Sequence, residues 1–174
     1  YEVSIFEKNE QAGGRAPVFK EKGFTFDMGP SWYWMPDIFE NYFARFGKKV
    51  SEYYTLKRLD PSYIVILSDS DVVDMPADYE QLKSLFESIE PGAGNALDRF
   101  LEQAAYKYKV GIQEFVWKPS TKITEFLSLR ILIDALRMDV FQSFYSHVRK
   151  YFKSPTLLKL MEFPILFLGA ISQN

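Results

Sequence analysis

The chain has 174 residues, a formal net charge of -2 and no cysteine, and its mean hydropathy of -0.17 is typical of a water-soluble globular protein. With no basic stripe to follow a phosphate backbone, a nucleic-acid binder is excluded, and without cysteine there is no disulfide, thiolate nucleophile or zinc–thiolate site. The absence of cysteine also fits a reducing compartment. The single histidine, His147, argues against a histidine-rich metal centre, and we predict a packing or surface role for it.

Residues 1–7 are predicted to form a buried parallel strand that ends in an acid. Val3 and Ile5 lie in a short apolar run, and the chain becomes polar directly after Glu7, as a strand does at the carboxyl edge of its sheet. An acid at this position of a dinucleotide-binding βαβ unit accepts hydrogen bonds from ribose hydroxyls. The first strand and phosphate turn of such a unit would need roughly 30 residues before Tyr1, so we expect the chain to be a fragment.

The next feature is the run Gly13-Gly14-Arg15. Two glycines let backbone amides approach an anion with no Cβ in the way, and the arginine adds fixed hydrogen-bond donors for a phosphate or carbonyl group. The alternative is a plain turn before a surface arginine.

Further along, the pattern predicts strands first and helices later. Strands are predicted at residues 18–20, 24–27, 53–59, 64–67 and 72–75, and helices at residues 36–47, 78–89 and 93–116. The first helix begins at Pro36 and ends at Gly47. Asp78 and Gln81 form a capping-box pattern for the second helix, and Pro91-Gly92 separates it from the third.

The apolar segments at residues 123–152 and 157–168 raise the question of a membrane. Arginine, lysine, glutamate and proline interrupt them, so neither reaches the roughly 18 uncharged residues that a spanning helix needs. Two interpretations stay open: the helices pack on the rest of the domain, or they lie in the membrane interface.

The glycine turn is part of a longer ordered pattern. Its segments are Glu7-Lys8-Asn9, Gly13-Gly14-Arg15-Ala16, Gly23-Phe24-Thr25-Phe26-Asp27-Met28-Gly29-Pro30-Ser31, Trp32-Tyr33-Trp34-Met35-Pro36, Tyr53-Tyr54 and Leu59-Asp60-Pro61-Ser62-Tyr63. This pattern resembles the carotenoid desaturase family, in particular the bacterial-type phytoene desaturases. With a looser match at residues 163–169, the resemblance covers nearly the whole chain.

The resemblance implies an α/β fold made of two partial domains. Residues 1–50 would be part of a Rossmann-like FAD-binding domain, and residues 51–174 part of a strand-plus-helix substrate domain. The Gly-rich phosphate turn and the C-terminal part of the family would be missing. The implied activity is FAD-dependent desaturation of a carotenoid precursor such as phytoene, and we expect this fragment to be inactive alone.

The resemblance also implies the cofactor site. Its residues would be Glu7, Lys8, Gly13, Gly14, Arg15, Met28, Gly29 and Pro30. The acid and its neighbour match the site of the adenosine ribose, the glycine turn lies along the pyrophosphate and flavin end, and the last three residues pass close to the isoalloxazine.

A polyene has no polar group, so its site must be a long apolar tunnel. The consecutive residues Trp32, Tyr33 and Trp34 cannot all lie on one face, and we predict that they line the substrate or flavin cavity. For Phe39, Phe43 and Phe46 we predict packing of an apolar helix face instead.

Two alternatives stay open at this stage. One is another flavin amine-oxidase-like oxidoreductase, such as a retinoid saturase, and the other is a non-catalytic prenyl-lipid carrier of the same fold. The glycine turn beside Glu7 argues against a carrier. No catalytic residue is assigned, and Asp27 and Asp60 are interpreted as structural hydrogen-bonding groups. We expect no metal or nucleic-acid partner and a cytoplasmic protein in peripheral contact with a membrane.

Overall fold

The structure is a computed structural model that describes residues 2–29, 32–116, 121 and 142–167. The chain divides into two units, Tyr1–Lys57 and Arg58–Asn174. Helices and small antiparallel sheets occur together, so the mixed α/β class is confirmed.

The first unit contains one hairpin and one helix. Strands β1 (Val18–Glu21) and β2 (Phe24–Asp27) pair antiparallel, and both turn residues, Lys22 and Gly23, have positive φ, at 48° and 85°. That combination is the type I′ turn that suits a two-residue hairpin. Helix α1 (Pro36–Ala44) follows, with proline in its first turn, and a 3₁₀ turn occupies Val50–Glu52.

Two predicted strands of this unit are wrong. Residues 2–7 have no regular secondary structure, and Val3, Ile5 and Phe6 are 76%, 87% and 96% exposed. A strand exists only through its hydrogen-bonded neighbours, and no described segment pairs with these residues. Residues 53–59 form no strand either: Tyr53 closes the 3₁₀ turn, since its N–H donates to the carbonyl of Val50 at 3.0 Å, and residues 54–59 have no regular secondary structure.

The second unit packs helices on one face of a hairpin. Strands β3 (Tyr63–Ser68) and β4 (Asp71–Met75) pair antiparallel and are followed by helices α2 (Tyr79–Ile89) and α3 (Ala93–Val110). A π-helical segment, Gly111–Val116, continues α3, so the predicted single helix over residues 93–116 changes type within its length. Helices α4 (Phe144–Val148) and α5 (Pro155–Phe167) complete the described part.

The helix boundaries follow from local chemistry. The Asp78 carboxylate accepts the N–H of Gln81 at 3.0 Å and caps α2, as predicted. Glu87 accepts the N–H groups of Gly92 and Gly94 at 2.8 and 3.0 Å, at the start of α3. These two backbone hydrogen bonds lower the pKa of Glu87.

The core of the second unit joins the hairpin to each of the α-helices described in this unit. Its members are Val65, Met75, Phe86, Ala93, Ala96, Leu97, Phe100, Val148, Phe152, Leu157, Leu158 and Leu160. His147 is buried beside this core, with its ring 5.5 Å from that of Phe100 and 5.4 Å from that of Tyr151, which confirms the packing role. The first unit contrasts with it, because none of its described residues is buried.

The apolar segments are only partly described. Residues 122–141 lie outside the described residues, while the buried leucines of α5 pack into the core. Among the described helices, none combines the length and the apolar character needed to cross a bilayer.

Candidate functional site

The glycine turn has the backbone geometry that only glycine adopts readily. Gly13 and Gly14 have φ values of 124° and 57°, a region that other residues rarely occupy. The N–H of Ala16 donates to the carbonyl of Gly13 at 3.0 Å and closes the turn. The turn and the following Arg15 are exposed, so their backbone amides and the guanidinium group are accessible to a ligand.

The end of β2 lies directly against this turn. The N–H of Met28 donates to the carbonyl of Pro17 at 2.9 Å and prolongs the hairpin by one bond. A Cβ placed on Gly29 would lie 2.7 Å from the carbonyl oxygen of Arg15 and 3.0 Å from the Cα of Ala16. Glycine is therefore the only residue that fits without displacing the turn.

The structure thus brings the end of β2 at Gly29 against the turn at Gly13-Gly14-Arg15, and both segments are predicted to bind the same cofactor. The third predicted segment, Glu7 and Lys8, does not join them. Glu7 lies in a separate exposed turn, where its carboxylate accepts the N–H of Asn9 at 2.9 Å, and Lys8 beside it is exposed as well. The strand that would hold this acid at a sheet edge is not formed. Pro30 lies outside the described residues.

The residues present fit a phosphate-bearing cofactor such as a flavin dinucleotide. A Cβ on Gly14 would have no neighbour within 4 Å, which leaves its backbone open to an approaching group. Exposed amides at successive positive-φ residues form a concave site for anions, and the adjacent Arg15 guanidinium can donate to a phosphate in bidentate geometry.

The three aromatic residues after Gly29 point in two directions. The rings of Trp32 and Trp34 meet edge to face at 5.8 Å, whereas Tyr33 packs on Phe39 with ring centroids 4.7 Å apart. Met35, the next residue, has a φ of 54°, a conformation that costs energy for a residue with a Cβ and tends to occur at functional sites.

Tyr33 has a partner that the sequence did not reveal. Its hydroxyl lies 2.5 Å from the hydroxyl of Tyr54, and the two rings are 5.8 Å apart. Desolvation and this hydrogen bond raise the pKa of Tyr33 to about 12. The only signal for Tyr54 was its place in the pattern Tyr53-Tyr54, which carried no role by itself.

The predicted packing of the α1 aromatic face is wrong for two of its three members. Phe39 is 43% and Phe46 65% exposed: Tyr33 contacts Phe39, but no described helix or strand covers that side of α1. Phe43 is half-buried and lies 4.8 Å from the ring of Tyr53. The face is therefore an apolar surface of this unit.

The second unit carries an apolar groove of about 610 Å³ that we did not predict. Four consecutive β3 residues line one wall, and Phe163 and Ile165 of α5 contribute to the other, with Lys159 and Glu162 among them. The signal was present in the sequence, since Ile64-Val65-Ile66-Leu67 is apolar on both faces of the strand.

Asp60 has a structural role, as expected. Its carboxylate accepts the N–H of Ala77 at 3.1 Å, and Arg58 donates to the carbonyl of the same residue, so the segment before β3 is fastened to the end of β4. Across the part of the chain that the structure describes, no group of histidine and acidic side chains has the arrangement of a metal site.

Comparison with known proteins agrees with this geometry. A family model for flavin containing amine oxidoreductases matches residues 1–169. The chain therefore belongs to the family of flavin containing amine oxidoreductases, and the expectation of FAD as the cofactor agrees with that membership.

Within that family its relatives are carotenoid desaturases, which confirms the resemblance. The carotenoid 3,4-desaturase of Haloarcula japonica is 40% identical over 97% of this chain and 34% of its own length. The 4,4'-diapophytoene desaturases (4,4'-diaponeurosporene-forming) of Staphylococcus haemolyticus and Staphylococcus aureus strain Newman are 34% and 32% identical over the same shares. The chain spans about a third of the length of these curated relatives.

Proposed function

We propose that this chain is part of an FAD-dependent desaturase that acts on a carotenoid precursor such as phytoene. The observation that carries the proposal is the close approach of Gly29 to the turn at Gly13-Gly14-Arg15. It brings the exposed backbone amides of that turn close to the point where the chain continues into Trp32 and Trp34, which supports a cofactor site there. A cofactor and an apolar ligand would then meet at one end of the β1–β2 hairpin.

Desaturation needs both the cofactor and an apolar site for the hydrocarbon. Each new double bond removes two hydrogens from adjacent carbons, one with its electron pair as a hydride and the other as a proton. Bound FAD would supply the two-electron acceptor, which no side chain can be. The residues of this chain would bind and orient: Arg15 and the glycine amides hold phosphate oxygens, and the rings of Trp32 and Trp34 exclude water from the polyene.

We further propose that the two parts of the chain have the separate roles that the resemblance implies. Residues 1–50 would contribute to cofactor binding, with Glu7 and Lys8 at the ribose and Met28, Gly29 and Pro30 near the flavin, while residues 51–174 contribute to the substrate domain. Within the second unit, the apolar groove beside β3 supplies apolar surface of the kind that a hydrocarbon ligand needs.

The experiment uses the full-length protein. We expect it to purify with the visible absorption of bound flavin, which bleaches when phytoene is added without oxygen while longer conjugated products appear. A folded, colourless full-length protein would contradict the proposal. A yellow protein that bleaches with an amine but not with a polyene would instead favour another amine-oxidase-like oxidoreductase, and one that binds polyene without flavin a lipid carrier.

Peripheral membrane contact is the remaining part of the proposal. A phytoene-like hydrocarbon partitions into the bilayer core because burial of its apolar surface is favourable, so the enzyme must collect it there. Co-sedimentation of the full-length protein with phosphatidylcholine vesicles, with and without phytoene, tests this. A protein that stays in the supernatant and nevertheless turns over vesicle-bound phytoene would contradict membrane contact.

A further inference from the structure

The two paired tyrosine hydroxyls of the first unit stand between an aromatic contact and a cleft whose wall includes polar side chains. On one side the Tyr33 ring packs on Phe39 and belongs to the aromatic triplet that is predicted to line the substrate or flavin cavity. On the other side Tyr54 lines a cleft of about 490 Å³, whose wall includes Glu40, Lys48 and Ser51. Tyr33 is 38% exposed and Tyr54 half-buried.

The hydroxyls of Tyr33 and Tyr54 both need hydrogen-bond partners. A tyrosine that faces a hydrocarbon must hide its hydroxyl, because a polar group desolvated without a partner costs free energy. Two hydroxyls 2.5 Å apart form one hydrogen bond, in which one hydroxyl donates its proton to the oxygen of the other. The hydroxyl that accepts still carries its own proton, which needs a second acceptor. The cleft, although its lining is mainly apolar, offers acceptors in the carboxylate of Glu40 and the hydroxyl of Ser51, whereas the nearest ring to Tyr33 on its other side offers none.

We propose that Tyr54 is a positioning residue, which accepts the hydroxyl proton of Tyr33 and turns its own proton toward the cleft. Tyr33 then presents only its ring to an apolar ligand. The inference rests on the proposed function, since it assumes that Tyr33 lines the polyene site. It adds a residue that contacts no ligand and yet sets how well that site accepts a hydrocarbon.

A cycle of variants in the full-length protein tests this proposal. Tyr54→Phe leaves the Tyr33 hydroxyl without its acceptor, and we expect KM for phytoene to rise roughly 5- to 30-fold with kcat nearly unchanged. Tyr33→Phe should change KM less than about 3-fold, because water in the cleft replaces the lost donor. In the double variant both hydroxyls are gone, and KM should return to within about 3-fold of the wild type, as removal of both partners can be nearly neutral.

This rescue distinguishes positioning from a merely structural contact. A double variant as impaired as Tyr54→Phe, or a Tyr54→Phe variant with unchanged KM, would overturn the proposal. Tyr42→Phe on the exposed side of α1 is the matched control, since it removes a tyrosine hydroxyl from the same unit outside the pair, and it should leave KM unchanged.

A second readout does not depend on turnover. At pH about 10.5, above the ordinary tyrosine pKa of about 10, the paired Tyr33 should stay protonated, so wild type and Tyr33→Phe should show equal tyrosinate absorbance. Tyr54→Phe should show somewhat more tyrosinate than the double variant, because one cause of the raised pKa of Tyr33, the hydrogen bond, is removed while desolvation remains. If this pattern appears but no variant binds polyene, the pair stands and the proposed function fails. If the pattern is absent, the pairing itself is overturned.

Discussion

The carboxylate of Glu90 accepts the backbone N–H of Ser154 at 2.7 Å. The N–H of Lys153 donates to the same side chain at 3.0 Å, so one acid that follows α2 accepts the two backbone N–H groups that directly precede α5. The contact closes a separation of 64 residues and fixes the entry of α5 into the core.

The first prediction concerns this contact. Glu90→Ala leaves two amides of the α5 entry without their acceptor, and we expect the free energy of unfolding to fall by about 1–3 kcal/mol. Urea denaturation followed by circular dichroism measures the change. Glu102→Ala, which removes an exposed acid from α3, is the control and should shift the midpoint little. Equal midpoints for the two variants would show that the Glu90 contact contributes nothing.

The second prediction is a pH dependence at Asp98. Its hydrogen bonds with Lys83, at 2.6 Å, and with Tyr79 lower its pKa. Because the pKa is lower in the folded than in the unfolded protein, the stabilisation is present above the ordinary aspartate value of about 3.9 and disappears as the pH falls through the folded-state pKa.

Asp98→Asn tests this dependence. The variant should unfold at lower urea concentration than the wild type at neutral pH, and the difference between the two midpoints should shrink below pH about 4. Parallel urea curves from pH 7 to pH 3 give the comparison. A difference that stays constant over the whole range would assign the effect of the substitution to packing rather than to charge.

The third prediction concerns Gly29. In Gly29→Ala the new methyl group meets the carbonyl of Arg15, which must move, and such overpacking costs about 1–3 kcal/mol. We expect flavin binding by the full-length protein to weaken about 10-fold or more, since about 1.4 kcal/mol corresponds to tenfold. Flavin content after gel filtration measures it. Gly111→Ala is the control, since its Cβ would meet nothing within 4 Å, and it should retain flavin like the wild type. A Gly29→Ala protein that retains flavin equally well would contradict a cofactor site shared by Gly29 and the glycine turn.

The fourth prediction concerns the tryptophan pair. Trp34→Ala removes half of the edge-to-face contact with Trp32, and we expect KM for phytoene to rise about 10-fold, or about 1.4 kcal/mol. Tyr42→Ala, an exposed aromatic truncation on α1, is the control. A KM that responds to Tyr42→Ala and not to Trp34→Ala would move the substrate site to the outer side of the helix.

The elements that the sequence predicted are those set by neighbouring residues. The cap of Asp78 on Gln81 and the turn at Lys22 and Gly23 depend on groups a few residues apart, and both hairpins and α2 appear where expected. Residues 2–7 form a strand only if a neighbouring strand pairs with them, and their apolar pattern could not show whether one does.

In the candidate site too, features set by neighbouring residues could be predicted, and features set by distant residues could not. The glycines at 13, 14 and 29 could be found because a positive φ or a close approach excludes other residues. The contact between Tyr33 and Tyr54 spans 21 residues, and no local pattern specifies it. The groove beside β3 likewise needs α5, which arrives about 100 residues later.

The position of α5, far along the chain from β3, has a consequence for synthesis of the protein. Strands β3 and β4 and helix α2 are complete once Glu90 has been made, and α3 packs on α2 soon afterwards, but Leu157 and Leu160, which complete the same core, follow more than 60 residues after Glu90. At roughly 5–20 residues per second, the core therefore lacks the leucines of α5 for several seconds of synthesis, and the apolar surface that α3 does not cover stays exposed. The nascent chain is then a candidate substrate for chaperones that bind exposed hydrophobic segments, and slowed translation after Glu90 should increase its aggregation.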